Sequence, residues 1–383
     1  MGTKLNTSGP AVWIQLANAQ HEVEQAASQL TTASSDTDFT TPQSSIRTTS
    51  SHVRKSTSDN SFEMNKRDSD LRQQYDQRPE KVPNIAAEME KWHAMTDRYG
   101  FLNDNYNLDI TQRVYKGIPD CWRGEAWYYL VTDRLRNTSS DCELRSTYRE
   151  LLSKESPYER QIDLDIPRTL RDHIMFKQRY GSGQRALFNV LRAFASYDEE
   201  VGYCQGMTNI AATILMYCEE EKAFLILVHM FLRDGLHNLY IPGFPILMES
   251  FFIQERLLKR YMPKLYNHLA DLGLSSDIYS TRWYITLFAG GVVRYHTLMR
   301  IWDAYFLCGY DLFFFVAITL LKNYESRLLA SDMDTCMTLL GSTMSVPDDN
   351  SFIKHVQKLF DKNVRNGTVD KLRQEYQEKH TTI

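Results

Sequence analysis

Residues 184–232 read QRALFNVLRAFASYDEEVGYCQGMTNIAATILMYCEEEKAFLILVHMFL and contain three apolar segments in succession. In the first, 184–196, apolar residues recur at the three- and four-residue spacing of one helix face: Leu187, Val190, Leu191 and Phe194. The other two, 207–217 and 222–232, are apolar on nearly every side, as expected of helices buried in a large helical domain. Because no run of alternating apolar and polar residues is long enough to nucleate a sheet, the sequence predicts an all-α fold.

The helical pattern extends well beyond this stretch. It begins near Asn84, where Ile85, Met89 and Trp92 fall at helical spacing, and it continues to about Leu340. Two prolines and a glycine in YIPGFP, residues 240–245, interrupt it, and the next helix is predicted over 246–261. We therefore expect a single large multi-helix domain over residues 84–345.

Residues 346–383 are expected to form an amphipathic helix followed by a polar tail. Asn350 or Ser351 is available as the N-cap of this helix. Its apolar stripe consists of Phe352, Ile353, Val356, Leu359 and Phe360. We expect this stripe to pack on the domain, and a helix that binds a partner is the alternative.

Residues 1–83 have a different composition. Between Thr31 and Asp70, 18 of the 40 residues are Ser or Thr and six are apolar, too few to offset the entropy of ordering the backbone. We predict that most of this tail is disordered. Phosphorylation or targeting would suit its composition, and a solvated extension without a single role is the alternative.

Charge and cysteine content argue against several classes of protein. The 383 residues carry a formal net charge of -4, without the basic excess that a nucleic-acid partner demands. The six cysteines show no Cys-x-x-Cys or metal-site spacing, which is typical of reduced thiols in the cytosol. Residues 1–20 lack a signal-peptide pattern, and the longest apolar run, 312–321, is half of the roughly 20 residues a bilayer span requires. The sequence thus predicts a soluble cytoplasmic protein.

Arg168 lies in the segment IDLDIPRT, residues 162–169. Pro167 has its φ angle preset for a first helical turn, and Asp165 can accept a hydrogen bond from exposed N–H groups there, so a helix is predicted to start at 166 or 167. Arg168 would then oppose the positive end of the helix dipole, at a cost of about 0.3–1 kcal/mol. The alternative is a surface arginine bridged to Asp163 or Asp165.

Gln205 lies in VGYCQGM, residues 201–207, between two of the apolar helices. Gly202 and Gly206 bracket it, which allows tight backbone geometry and presents a side chain at the helix ends. A glutamine amide both donates and accepts hydrogen bonds, so it can hold and orient a water molecule. The alternative is a glutamine that satisfies loose backbone groups between packed helices.

Three motifs resemble the signatures of TBC domains, which are GTPase-activating proteins for Rab GTPases. They are Lys116-Gly117-Ile118-Pro119 with Arg123 and Trp127, the segment 162–169, and Tyr197 through Tyr203-Cys204-Gln205-Gly206-Met207. Their order and spacing also match, and Arg300-Ile301-Trp302-Asp303 resembles a later block of the family. The resemblance covers about residues 114–329. Residues 201–206 and the YIPGFP loop resemble most closely the RN-tre and TBC1D10-like type.

The resemblance implies a division of labour between two proteins. Arg168 matches the arginine finger of the IxxDxxR motif, and Gln205 matches the glutamine finger of the YxQ motif. They would act in trans on a GTP-bound Rab-family small GTPase, which would itself carry the GTP and Mg²⁺, so that this chain needs no cofactor. Association with trafficking membranes would come through that partner. The chain would be a catalytic activator, and no constellation of a self-contained hydrolase stands out among its ten histidines and six cysteines.

Supporting roles fall to residues beside the two fingers. We expect Asp165 to orient the Arg168 loop and Tyr203 to pack beside Gln205, next to Gly206, while Arg123 ties the motifs together with Trp127 and Asp303. Cys204 has no histidine or basic neighbour in its motif, so a packed, passive thiol is favoured over a nucleophile. The resulting prediction is that the fold brings Arg168 and Gln205 to one solvent-facing groove. A non-catalytic adaptor that binds a GTPase, and a helical scaffold in which the motifs are core packing, are the alternatives.

Overall fold

Helices make up nearly all regular structure in residues 105–132 and 138–381, the part of the chain that the computed structural model describes. The pairing of extended segments within these residues is limited to an isolated bridge between Val293 and Met344. The predicted all-α fold is therefore confirmed. The predicted Ser/Thr-rich tail, 1–83, and the domain start near Asn84 lie outside the described residues.

Sixteen α-helices and one 3₁₀ turn follow one another along these described residues. The first group is α1 Asn105–Lys116, α2 Asp120–Val131, α3 Thr138–Leu151, α4 Glu159–Asp165, the 3₁₀ turn Ile166–Arg168, α5 Ser182–Tyr197, α6 Met207–Leu215 and α7 Glu220–Asp234. The second is α8 His237–Tyr240, α9 Pro245–Tyr261, α10 Pro263–Asp271, α11 Ser276–Ile285, α12 Tyr295–Cys308, α13 Leu312–Leu329, α14 Met333–Gly341, α15 Asp349–Arg365 and α16 Thr368–Thr381.

The helices predicted from apolar periodicity are present, with ends within two residues of the predicted ones. The segments 184–196, 207–217, 222–232 and 246–261 correspond to α5, α6, α7 and α9. Helices α5, α6 and α7 pack on one another, and the apolar faces that predicted them are the faces they bury. Fully burying a Phe or Leu side chain contributes about 1.5–3 kcal/mol, so these contacts dominate the local stability.

The longest apolar run of the sequence is a buried helix. Every residue of 312–321 in α13 is shielded from solvent, and α13 packs against α9, α12 and α15. Aromatic rings fill the space between these helices, with the Phe313 ring stacked 4.8 Å from Tyr305 and 5.4 Å from Phe288. Among the described residues, no helix combines the length and apolar character needed to cross a bilayer.

The prediction of a helix that starts at 166 or 167 is wrong. The chain is already helical from Glu159, and the 3₁₀ turn 166–168 ends that segment. Pro167 has no N–H to continue the α-helical bonding, so it tightens the last turn instead of starting a new helix. Arg168 therefore lies at the negative, carboxyl end of a helical segment, where a cation is favourable, and the predicted dipole cost does not exist.

The N-cap of the C-terminal helix lies two or three residues before the predicted one. Asp348, and not Asn350 or Ser351, caps α15: its carboxylate accepts hydrogen bonds from Ser351 N at 2.8 Å and Asn350 N at 3.4 Å. Helix α15 packs against α12 and α13, which buries Phe352, Ile353 and Val356 of its apolar stripe, while Leu359 and Phe360 are half-buried. Residues 368–381 of the expected polar tail form α16, whose Arg373 pairs with Glu249 of α9 at 3.0 Å.

Candidate functional site

A groove of about 460 Å³ is formed by residues that are far apart in the sequence. One part of its wall is the turn after α4 and the α5–α6 link, which contribute Arg168 and Gln205. The remaining walls come from the start of α9, from α11 with the turn after it, and from α14. Arg168 and Gln205 thus line one groove that is open to solvent, the position predicted for them from the sequence. The roles of these residues stay predictions.

Arg168 projects from the 3₁₀ turn with 64% of its side chain exposed. Its Nη2 donates to the Asp165 carboxylate, so one of the two ion pairs foreseen for a surface arginine is present. The other carboxylate, Asp163, pairs instead with Arg179 at 3.1 Å. A guanidinium has five N–H donors in a fixed fork, and the contact with Asp165 leaves most of them to face the groove.

Asp165 connects the two segments that carry the predicted fingers. Its side chain is 4% exposed, and its second oxygen accepts a hydrogen bond of 2.6 Å from the Tyr203 hydroxyl. Tyr203 is buried, and desolvation followed by the negative charge of Asp165 raises the pKa of its hydroxyl far above the usual value. Tyr203 therefore stays a neutral donor, and the Asp165 carboxylate accepts from both Arg168 and Tyr203, which connects its turn to the YCQ link.

Gln205 occupies an exposed turn immediately before α6. Gly206 has φ +110°, in the region that L side chains rarely adopt, and a Cβ there would lie 3.3 Å from Thr286 Cγ2. The Gln205 carboxamide makes no hydrogen bond to another described residue, whereas its backbone carbonyl is 3.7 Å from Cys204 Sγ. A glutamine that satisfies loose backbone groups does not fit this geometry, because the amide is free to face the groove.

Cys204 lies beside Gln205 with its side chain partly buried. Its backbone N–H donates to Met207 Sδ at 3.2 Å. No histidine belongs to the residues that line the groove, so the lining offers no imidazole base to activate this thiol. All six cysteines of the chain fall within the described residues, and none of them forms a disulfide there.

Arg123, Trp127 and Asp303 form a buried cluster away from the groove lining. Arg123 Nε and Trp127 Nε1 each donate to Asp303 Oδ1 at 2.9 Å, and Ile118 N donates to Oδ2 at 3.1 Å. Desolvation opposes the charge on Arg123, but the charge and hydrogen bonds of Asp303 outweigh it and raise the pKa of the guanidinium. The cluster joins α2 to α12, and none of its three residues lines the groove.

Backbone strain is concentrated around the groove. The described residues include five non-glycine residues with positive φ: Leu170, Tyr180, Phe244, Leu287 and Phe288. Phe244 lines the groove, and Leu170 and Leu287 directly follow the lining residues Thr169 and Thr286. Such conformations cost about 1–3 kcal/mol each and persist where the surrounding packing enforces them, typically at functional sites.

Sequence reasoning missed the walls contributed by α9, α11 and α14. Arg282 of α11 is the most polar of the missed residues, and it lines the groove together with Phe244 and Met337. Nothing in the pattern of α11 marks Arg282, since its neighbours Trp283 and Tyr284 indicate only core packing. Three charged side chains line the groove: Asp165, Arg168 and Arg282.

Solved structures share this helical fold. The crystal structure of the Ypt/Rab-GAP domain of Gyp1p superposes with a TM-score of 0.63 at 20% sequence identity, over 73% of this chain and 99% of that chain. The crystal structure of the Chlamydomonas flagellar RabGAP TBC domain gives a TM-score of 0.61 at 23% identity, over 71% of this chain and 91% of that one. At these identities the likeness establishes the fold alone.

Sequence comparison identifies the family. The family model described as the Rab-GTPase-TBC domain matches residues 120–329, which is more than half of the 383 residues. The chain therefore belongs to the Rab-GTPase-TBC domain family, and the resemblance seen in its motifs is confirmed. The finer resemblance to the RN-tre and TBC1D10-like type stays a prediction.

Individual relatives match mainly over this domain. A TBC domain-containing protein of Schizosaccharomyces pombe is 36% identical over 65% of this chain and 60% of its own length. The Rab GTPase-activating protein tbc-11 of Caenorhabditis elegans is 33% identical over 64% of this chain and 26% of its own length. TBC1 domain family member 4 of Mus musculus is 31% identical over 67% and 20%. The matched part thus spans less than two thirds of each of these relatives.

Proposed function

We propose that this chain accelerates GTP hydrolysis by a Rab-family small GTPase, with Arg168 and Gln205 supplied in trans. The observation that carries the proposal is the arrangement in the groove: an exposed guanidinium and an unpaired carboxamide on two segments joined through Asp165 and Tyr203. Membership of the Rab-GTPase-TBC family supports it, as does the similarity to tbc-11 of C. elegans, a Rab GTPase-activating protein.

Arg168 would stabilise the charge that develops on the transferred phosphoryl group. An arginine finger supplied in trans contributes about 10³–10⁵ in rate in comparable GTPases, because a preorganised cation in a water-excluded site costs no reorganisation when the charge forms. The exposed N–H groups of Arg168 provide that cation, and the carboxylate of Asp165 limits the directions the side chain can take.

Gln205 would position the attacking water. Its carboxamide can accept a hydrogen bond from that water with its oxygen and donate from its nitrogen to a phosphate or backbone oxygen. Because Gly206 allows the left-handed turn that begins α6, the carboxamide is held at the groove and not within the helix. Neither Arg168 nor Gln205 changes its protonation state in this scheme.

The partner would be the GTP-bound form, since only that form presents the phosphate to be cleaved. GTP and Mg²⁺ would arrive with the GTPase, and this chain would add no cofactor of its own. The site of action would follow from where that GTPase resides, so we propose a cytoplasmic protein recruited to trafficking membranes through its partner.

Single-turnover hydrolysis by a panel of purified, GTP-loaded Rab GTPases tests the proposal. At least one Rab should be accelerated, and Arg168→Ala or Gln205→Ala should remove most of the acceleration, by about 10³-fold or more for Arg168. Arg171→Ala is the matched control, because Arg171 lies three residues further on, is 78% exposed and does not line the groove.

Three outcomes would contradict the proposal. If no Rab is accelerated, the activity is absent, and nucleotide-dependent binding that survives both substitutions would support the adaptor alternative. If acceleration persists in both variants, the activity does not depend on the two fingers. A fall in thermal stability in step with the rate of the Arg168 variant would favour the scaffold alternative.

A further inference from the structure

Arg282 lines the wall of the groove and is held there by hydrogen bonds. It lies on α11, one helical turn before Ile285 and Thr286, the residues that a Cβ on Gly206 would meet at 3.4 and 3.3 Å. Two hydrogen bonds fix this region: Arg282 Nη2 donates to the Gly341 carbonyl at 2.8 Å, and Thr286 Oγ1 donates to the Arg282 carbonyl at 2.7 Å. The guanidinium is therefore tied to Gly341 at the groove wall, and its helix leads to Ile285 and Thr286, which lie beside Gly206.

The charge of Arg282 lacks a counter-ion within the described part of the chain. It forms no ion pair there, and its one side-chain partner is a neutral carbonyl. Protein atoms around the guanidinium lower its pKa by desolvation, and no described carboxylate raises it. Arg168 differs, since Asp165 accepts from it. The groove thus contains one arginine, Arg168, that pairs with a carboxylate of the chain, and a second, Arg282, that forms no ion pair with a described residue.

An arginine held in this way is suited to recognise an oxyanion. Its planar fork can bind a carboxylate through two parallel N–H···O bonds, and Arg282 is an exposed residue whose guanidinium is more weakly hydrated than an ammonium. Under the proposed function Arg168 and Gln205 act at the reacting phosphate, and an acidic side chain on the protein that carries the nucleotide is an anion that the Arg282 fork can bind.

We propose that Arg282 is a specificity-determining docking contact, which binds a carboxylate on the surface of the partner GTPase through its groove-facing N–H groups. This proposal rests on the proposed function for the identity of the partner. It assigns Arg282 to ground-state binding, so that GTPases with an acidic residue at the facing position bind well and those with a neutral or basic residue bind poorly.

The test measures binding separately from hydrolysis. In an Arg168→Ala/Gln205→Ala background, which needs no turnover, the Kd for a panel of Rab GTPases loaded with a non-hydrolysable GTP analogue is measured at several salt concentrations. Arg282→Gln should raise the Kd of the best-bound Rab at least about tenfold and flatten its salt dependence. Arg282→Lys should have a smaller effect. Arg260→Gln is the control, since Arg260 is exposed on α9 and does not line the groove.

With both fingers restored, Arg282→Gln should raise KM and leave kcat within about twofold, as expected of a contact made equally in the ground and transition states. A fall in kcat at unchanged Kd would overturn the proposal in favour of a transition-state contact. An unchanged Kd would also overturn it, as would a lower melting temperature with unaltered salt dependence, because Arg282 would then only secure Gly341.

The proposed function can fail independently. If a Rab binds but is not accelerated by the unmodified chain, the activity is refuted while the Kd series still decides the role of Arg282. If no Rab binds at all, both proposals are wrong.

Discussion

Two arginine–aspartate pairs in this molecule have opposite uses. Arg123 and Asp303 are both buried, and the carboxylate also accepts from Trp127 and the Ile118 backbone. In the pair of Arg168 and Asp165 the carboxylate is equally buried, but 64% of the arginine side chain is exposed. The same two residue types therefore secure two helices in one place and present a cation to solvent in the other.

The difference arises from which partner is desolvated. Removing two charges from water is repaid only when their hydrogen bonds are complete, and the Asp303 cluster meets this condition with three donors. At Asp165 the Tyr203 hydroxyl supplies the buried hydrogen bond, so the carboxylate is stabilised without demanding all of the Arg168 donors. The aspartate is buried and hydrogen-bonded in both pairs, whereas the arginine is buried only in the pair with Asp303.

The largest expected effect on stability follows from breaking the buried pair. Arg123→Ala leaves Asp303 as a buried carboxylate without its cation, which should lower the free energy of unfolding by about 3–5 kcal/mol. Urea denaturation measures it, and Arg171→Ala, at a position 78% exposed, should stay within about 0.5 kcal/mol of the unmodified chain. A loss below about 1 kcal/mol for Arg123→Ala would show that the two pairs do not differ as argued.

Asp165→Asn replaces the carboxylate that accepts hydrogen bonds from both Arg168 and Tyr203. The amide keeps one acceptor but turns a donor toward Arg168 or the Tyr203 hydroxyl, so the free energy of unfolding should fall by about 1–3 kcal/mol. Under the proposed function, the rate of GTPase activation should also fall by about 10- to 100-fold, because Arg168 and Gln205 lose their common support. Asp163→Asn, at an exposed pair with Arg179, is the control for both measurements. A variant with unaltered stability and unaltered rate would show that Asp165 supports neither the fold nor the site.

Tyr203→Phe separates the Tyr203 hydrogen bond from the charge pair. The substitution removes the hydroxyl that donates to Asp165 at 2.6 Å and leaves the ring packing intact, which should cost about 1 kcal/mol in unfolding free energy. Tyr197→Phe serves as the matched control, since Tyr197 is 38% exposed and makes no hydroxyl hydrogen bond to a described residue. Equal melting temperatures for both variants would show that the Tyr203 bond adds no stability.

The sequence predicts the helices well and their junctions poorly. Leu187, Val190 and Leu191 mark one face of α5, and the structure buries that face. Pro167 misleads, because its preference for a first helical turn is local, whereas the helix had begun at Glu159 and buries Ile162 completely. The N-cap of α15 fails for a related reason: Asp348, Asn350 and Ser351 all have capping side chains, and only the backbone path selects Asp348.

The candidate site is predictable only on the side where the motifs lie. Arg168 and Gln205 stand in short, patterned segments, so their position could be inferred from local sequence. Arg282 and Gly341 come from helices that reach the groove only through the packing of α11 on α14, and no local pattern encodes that encounter. A groove built from segments more than 100 positions apart requires the tertiary structure.

Arg168→Ala should cause the smallest change in stability, and it compares Arg168 directly with Arg123. The truncated side chain is mostly in water, and Asp165 keeps its hydrogen bond from Tyr203, so the free energy of unfolding should change by less than about 1 kcal/mol. The same urea titration that detects the loss in Arg123→Ala measures it. A loss of several kcal/mol would mean that Arg168 is a structural cation like Arg123, and an arginine committed to the fold in that way could not reach another protein's phosphates.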